Sequence, residues 1–361
     1  MAYYHSQYSS SRKKKSKFRT PFRIILLIIV LGLSGSAYFA YQAVFSPNVW
    51  VSKEKSEFTI YIKPSDTFED LKNQLYANGL IIHRANFEWW AKQKKFDSHM
   101  KPGMYKLSNG LSNEALINKL RSGEQEPVRL IFNNIRLKKD LATKISTLIY
   151  ADSAELLKLL NDSMVAKKYG FSSETFPCMF IPNTYYVNWN TSAMKFIERM
   201  NYEYLQFWTE SRIKKAKALD LTLVQVSILA SIIDKETQQN SEKPRIAGVY
   251  LNRLKREWRL QADPTLIYAL GNFTIKRVLT EYLNLDSPYN TYKYRGLPPG
   301  PICIPSISSI DAVLNAEEHS YFYFCAKPDY SGYHNFAKNN LGHNINAQAY
   351  RNFLNKERIF K

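Results

Sequence analysis

Cysteine is scarce in this chain. Cys178, Cys303 and Cys325 are three among 361 residues, widely spaced and without a CxxC pair, which excludes a disulfide framework and a cysteine-rich zinc knuckle. An odd number leaves at least one thiol unpaired within the chain, and a small buried hydrophobe is the default role for each. Histidine is nearly as rare, with six residues. His5 lies in the N-terminal tail, His83 and His99 come early, and His319, His334 and His343 show no HxxxH or HxH spacing with acids. That pattern decides against metal catalysis, and no metal or other cofactor is expected. His334 and His343 remain as groups that can line a cleft. Internal repeats are absent, as is low complexity beyond the N-terminus.

Acidic residues are missing altogether from the first 50 positions, where seven basic ones stand (Arg12, Lys13, Lys14, Lys15, Lys17, Arg19 and Arg23). The formal charge of +19 is otherwise built from 43 basic residues set against 31 acidic ones. These are scattered through mixed segments, as on a solvated surface near something anionic; a nucleic-acid partner is not expected. Residues 24–45, IILLIIVLGLSGSAYFAYQAVF, carry no charge and as a helix span roughly 33 Å, enough to cross a bilayer. The basic cluster before this run puts the N-terminus in the cytoplasm and residues 46–361 outside. A cleaved signal peptide fits less well, because its apolar region is usually about 7–15 residues long.

The expected organisation is a basic tail (1–23, polar and disordered over 1–20), a transmembrane helix (24–45), a linker (46–56), a small α+β module (57–124) and a larger α+β domain (125–361). In the module, EFTIYI alternates like a strand, and Thr67 with Asp70 three residues on reads as a helix start. RANFEWWAKQKKF reads as a short helix, GMYKL as a strand, and Ser112 and Gly123 bracket a last helix. The larger domain begins with the strand-like PVRLIF and has helical segments near 137–161, 193–218 and 221–238, then a helix from about Asn240/Ser241 with Pro244 in its first turn.

The segment 221–238 is the most informative. LTLVQVSILASII is strongly apolar and runs into Asp234 and Glu236. On a helix, Glu236 continues the stripe of Leu229, Ile232 and Ile233, while Asp234 lies about 200° around, in line with Ser227, Ala230 and Ser231. The two acids do not act as a pair. A carboxyl at the edge of a buried stripe is partly desolvated, which raises its pKa as a general acid requires. A Glu that ends a buried helix and pairs with Arg245, Arg253 or Arg259 has the same spacing, so position alone leaves both roles open.

Downstream, Asn252, Arg253, Arg259, Gln261, Asp263 and Thr265 crowd a chain that turns at Asp263-Pro264. Residues 287–306 and 333–344 read as long polar loops rich in Tyr, Asn and Pro, a composition suited to sugar rings and hydroxyls.

The run LASIIDKETQ, VYLNRL, RLQADPTLIYALG, SPYNTY, GLPPGPICIPS, YFYF and HNF resembles the MltG (YceG-like) family of membrane-anchored endolytic murein transglycosylases, from the membrane segment onward. The resemblance implies a LysM-like character for residues 57–124 and a YceG-like catalytic domain for 125–361. It also implies cleavage of the β-1,4 bond between N-acetylmuramic acid and N-acetylglucosamine inside nascent glycan strands of peptidoglycan. The muramyl 6-hydroxyl attacks its own anomeric carbon and leaves a 1,6-anhydro end, so no water is consumed. The family's catalytic glutamate falls on Glu236. Expected substrate contacts are Arg253, Gln261, Asp263, Thr265, Tyr289, Asn290, Tyr292 and His334; Arg253 tunes Glu236, meets an anionic peptide or forms an ordinary salt bridge, and Tyr289 and Tyr292 stack on sugars or pack within their own loop. The implied location is the inner (cytoplasmic) membrane, with cell-wall synthases as partners. Three positions depart from the family pattern: Asp234 stands where the family has glutamate, and Pro177 and Asn183 replace acids. An alternative of another class is a non-catalytic scaffold that holds glycan for synthases, indifferent to Glu236→Gln.

Overall fold

The computed structural model describes residues 19–52, 56–275 and 278–357; the basic tail through residue 18, expected to be disordered, lies outside them. The chain divides into two units, Met1–Glu126 and Pro127–Lys361.

The first unit opens with helix α1 (Arg19–Phe45), whose stretch Pro21–Phe45 is long and apolar enough to cross a membrane. Its last turn is not free: Ala43 and Val44 are buried, and the Asn113 side chain donates to the Ala43 carbonyl at 2.7 Å. Residues 46–56, expected to be a linker, differ from that expectation where they are described. Pro47 bridges Ser112 and Val49 bridges Ile81, and Val49 and Val51 are buried. Two alternate valines on an extended segment present one apolar face, and burying each is worth about 1.5–3 kcal/mol, which outweighs the freedom of a tether.

Strands β1 (Glu57–Ile62) and β2 (Gly103–Ser108) pair antiparallel, with Glu57 facing Ser108 and Ile62 facing Gly103. Between them lie α2 (Phe68–Ala77) and α3 (Arg84–Gln93), and α4 (Asn113–Ser122) follows. The starts are encoded locally: Thr67 and Asp70 cap α2 reciprocally, Ser112 caps α4, and Gly123 closes α4 at φ 75°. Ile60, Leu75, Phe87, Phe96, Tyr105 and Leu107 form the core.

The second unit is mixed α+β with three helices for every short sheet pairing early on. Strand β3 (Pro127–Ile131) is followed by α5 (Lys138–Ser146), α6 (Ser153–Asn161) and α7 (Ser163–Lys168); β4 (Thr184–Asn188) returns antiparallel to β3. The single helical region read near 137–161 is thus two helices, because Asp152 caps a new start with bonds to the amides of Ala154 and Glu155. Next come α8 (Ala193–Phe207), α9 (Glu210–Ala218), α10 (Leu223–Glu236), α11 (Lys243–Lys255) and α12 (Asp263–Leu270). Helix α13 (Ile307–Leu314), the hairpin β5 (Tyr323–Ala326) with β6 (His334–Ala337), and α14 (Asn340–Lys356) complete the unit. Residues 333–344 are therefore not a loop: they hold β6 and the first turn of α14, capped by Asn339. Helix α10 is the centre of the unit, buried at every position from Val226 to Ile233.

Candidate active site

Thr222 and Gln225 start α10 with a capping box, and the helix then buries eight consecutive residues before its last turn reaches Asp234 and Glu236. The two acids diverge. Asp234 accepts from Ser306 and Ser309, each at 2.5 Å, and from the Lys243 ammonium at 3.3 Å. Burial opposes its ionisation, but these hydroxyls and the Lys243 charge hold its pKa below the usual aspartate value. Asp234 thereby ties the end of α10 to the start of α13.

Glu236 meets Tyr250 of α11, whose hydroxyl donates to Oε1 at 2.5 Å. The carboxyl keeps some surface toward a cleft but is otherwise enclosed by protein, and this burial raises its pKa to about 7. The Tyr250 hydrogen bond and the Arg253 charge oppose that rise, and the nearby negative charge of Asp263 adds to it. Tyr250 is itself buried and held far above its ordinary pKa by burial and by Glu236, so it stays a donor. The arginines do not pair with Glu236. Arg245 binds Glu317, Arg259 is exposed, and the Arg253 guanidinium donates to the carbonyls of Phe322 (2.7 Å) and Leu260.

The cleft holds about 500 Å³. Glu236, Tyr250 and Arg253 line it from α10 and α11; Gln261, Asp263 and Tyr292 line it from the turn before α12 and the loop beyond. Tyr292 donates its hydroxyl to Asp263. Gln261 sits at φ 50°, a left-handed conformation costing a non-glycine residue about 1–2 kcal/mol, and its amide is held by the Thr291 carbonyl at 3.1 Å. The rest of the lining comes from the C-terminal elements: Tyr323 and Phe324 on β5, and Asn340, His343 and Asn344 on α14.

Of the residues expected to touch substrate, Arg253, Gln261, Asp263 and Tyr292 come together with Glu236. Four others do not line the cleft. Thr265 is buried, bonded to the Ala262 carbonyl and to Thr291 at 2.8 Å each. Asn290 is also buried; its amide donates to the carbonyls of Leu283 and Leu285, and its oxygen accepts from the amide of Tyr292. Tyr289 packs against Tyr268 with ring centroids 4.8 Å apart. His334 is bound to the buried Glu242 at 2.9 Å and lies edge-on to Phe324. All four shape the walls from behind: a polar side chain that finds its partners inside the protein has none left for a ligand. Pro177 sits in a short 3-10 turn, Phe176–Met179, and Asn183 bonds its neighbour's amide, both away from the cleft lining.

Sequence reasoning passed over Tyr250, Tyr323, Phe324, Asn340 and Asn344. A signal existed for Tyr250, which stands three residues before Arg253 on one helix and so shares its face. For the others the signal was coarser: Tyr323 and Phe324 stand in YFYF, and Asn340 and Asn344 lie within 333–344, but their approach to Glu236 depends on the hairpin and α14 folding back. Among the described residues no group of His, Cys, Asp and Glu is placed to hold a metal ion.

Fold and cleft define a class: an α+β protein with an N-terminal candidate membrane span and a carboxyl of raised pKa facing a cleft at the end of a buried helix. The chain belongs to the YceG-like family, whose model matches residues 60–349. It is 28% identical over 339 residues to the endolytic murein transglycosylase of Bacillus subtilis strain 168, covering 90% of this chain and 92% of that one. It is 26% identical over 362 residues to the endolytic murein transglycosylase of Streptococcus pneumoniae D39, covering 92% of this chain. The match spans 65% of the pneumococcal protein's length. A crystal structure of a YceG-like protein from Listeria monocytogenes is similar at a TM-score of 0.53 and 27% identity, over 81% of this chain and 99% of that one.

Proposed function

We propose that the chain is an endolytic murein transglycosylase, cutting the β-1,4 bond between N-acetylmuramic acid and N-acetylglucosamine within glycan strands. The observation that carries this reading is Glu236: a carboxyl with a pKa raised to about 7, held by Tyr250 at one oxygen and open to a cleft large enough for sugar rings. Family membership and the names of the relatives support it.

With Oε1 occupied by the Tyr250 hydroxyl, the acid proton resides on Oε2. Glu236 donates that proton to the glycosidic oxygen as the C1–O bond breaks through an oxocarbenium-like state. The carboxylate then takes the proton of the muramyl 6-hydroxyl as O6 bonds to C1, closing the 1,6-anhydro ring and regenerating the acid. An internal nucleophile is already in place, so its proximity replaces a bound water and its activating base. Asp263, fixed by Tyr292, supplies negative charge near the developing cation, and Gln261 orients substrate from its strained turn.

In the same reading α1 anchors the enzyme in the cytoplasmic membrane with its N-terminus inside. The module at 57–124, two strands enclosing two helices, is a LysM-like glycan-holding element, and cell-wall synthases are the partners whose products are cut. The test is to incubate the full chain in detergent with uncrosslinked glycan strands and read the products by mass spectrometry beside Glu236→Gln. Internal fragments with 1,6-anhydro ends, lost in the variant, are expected. Reducing ends would overturn the reading in favour of hydrolysis, and intact bound glycan would favour the scaffold.

A further inference from the structure

Helix α14 contributes to the cleft although it has no buried residue of its own, and the side chain it places there is unusual. His343 stacks on Tyr323 with ring centroids 5.2 Å apart and planes at 24°. Tyr323 also meets Trp258 edge-on, with ring centroids 6.4 Å apart, and the Arg253 guanidinium, which lies 5.4 Å from its ring centroid. The imidazole thus sits in a layer that ends in a permanent cation. Burial, with the charges of Arg253 and Arg351, holds its pKa below the usual histidine value, which favours the neutral imidazole.

Its two nitrogens differ. Nδ1 is enclosed and makes no hydrogen bond, which leaves Nε2 as the nitrogen available on the cleft side. A neutral imidazole carries one proton. An enclosed N–H without a partner is rarer in folded proteins than an enclosed lone pair without one, so the proton belongs on Nε2. His343 therefore presents a neutral N–H donor to the cleft. One helical position on, Asn344 offers an exposed carboxamide, and Tyr323 and Phe324 line the same stretch.

We propose that His343, Asn344 and the Tyr323 and Phe324 rings form a subsite for the acetamido group of an N-acetylated amino sugar, with His343 Nε2–H donating to the acetamido carbonyl. The match is chemical. An acetamido group has a methyl that suits an aromatic wall, a carbonyl that needs a donor and an N–H whose proton a carboxamide oxygen accepts. A carboxylate would instead call for a cation on this wall, and the cation among the lining residues, Arg253, is already committed to two backbone carbonyls. The role is recognition; the proton chemistry stays with Glu236. The inference rests on the transglycosylase reading and adds that the cleft selects for N-acetylation.

The test measures binding, so that it does not depend on turnover. The full chain carrying Glu236→Gln is titrated with uncrosslinked glycan strands and with the same strands after chemical de-N-acetylation. Adding His343→Phe, which keeps the stack on Tyr323 but removes the donor, is expected to weaken binding of N-acetylated strands by roughly tenfold, and to leave binding of de-N-acetylated strands unchanged. His343→Gln, which restores a donor, recovers most of the loss. Asn344→Ala, at an exposed position that does not threaten folding, shows the same selectivity with a smaller loss of about threefold. Equal binding by the His343→Phe protein, or an equal penalty on both kinds of strand, would overturn the subsite while leaving the enzyme reading intact. Failure of the Glu236→Gln chain itself to bind either strand would remove both.

Discussion

The Tyr250 hydroxyl donates to Oε1 of Glu236 at 2.5 Å across 14 residues of chain, joining the end of α10 to the buried middle of α11. A hydrogen bond to the ionised form lowers a carboxyl pKa, and a neighbouring negative charge raises it. Tyr250 and Asp263 therefore act on Glu236 in opposite directions, and burial sets the level about which they adjust it.

The alkaline limb of kcat/KM reports the acid of the free enzyme and is expected near pH 7, where Glu236 loses its proton. Tyr250→Phe removes a stabiliser of the carboxylate and moves the limb to higher pH. Asp263→Asn removes a like charge and moves it lower. Shifts in the same direction would refute this electrostatic account, whatever the change in kcat.

Glu236 also carries a stability cost that a pH series can expose. Its proton leaves the unfolded chain near the ordinary 4.5 but stays on the folded chain up to about 7. The stabilisation from the protonated form is full below 4.5 and is lost as pH rises through 7. Glu236→Gln, permanently neutral, should match the parent near pH 4.5 and exceed it at pH 8. The margin is on the order of 2 kcal/mol, less than the full shift implies because the carboxyl keeps some contact with water. Denaturant unfolding at the two pH values checks it.

Asp234 has the opposite sign. Its folded pKa is depressed, so its contribution is present above 3.8 and falls away as pH drops through the folded value. Asp234→Ala leaves the buried Lys243 ammonium without its carboxylate and unhooks Ser306 and Ser309. A loss of about 2–4 kcal/mol is expected, with the pH limb of the remaining folded enzyme in place.

Gln261→Gly relieves a left-handed residue and should stabilise the fold by about 0.5–1 kcal/mol, while KM for glycan rises because a cleft-lining amide is gone. Unfolding midpoints and steady-state kinetics on one preparation separate the two effects. No change in KM would mean that the turn is held for packing alone.

Gly248 stands where α11 passes the chain at 317–319. A Cβ there would lie 2.3 Å from the Glu317 carbonyl oxygen and 2.6 Å from His319 Nε2. Backbone must move to admit it, so Gly248→Ala should cost at least about 2 kcal/mol and disturb the segment that anchors Asn252. Thermal unfolding measures the loss.

Much of this protein is written in short-range pattern. The uncharged run at 24–45, the Thr67–Asp70 and Ser112 helix starts, the period-two strand at 57–62 and the apolar stripe that delivers Glu236 each depend on residues within one or two turns. Helix and strand periodicity makes such features visible in one dimension. The opposite orientation of Asp234 and Glu236 follows from the same 3.6-residue repeat.

What the pattern could not reveal is where a polar group finds its partner. Thr265 and Asn290 read as ligands for sugar, but their hydrogen bonds close within the protein. His334 is taken by Glu242, 92 residues away. Tyr323, His343 and Asn344 reach the cleft because a hairpin and a terminal helix fold back to it. The sequence by itself determined the candidate membrane span, the helices and the position of Glu236; only the tertiary structure decided which side chains surround that carboxyl. Periodicity is local, whereas desolvation and hydrogen-bond satisfaction are settled by residues brought together from distant parts of the chain.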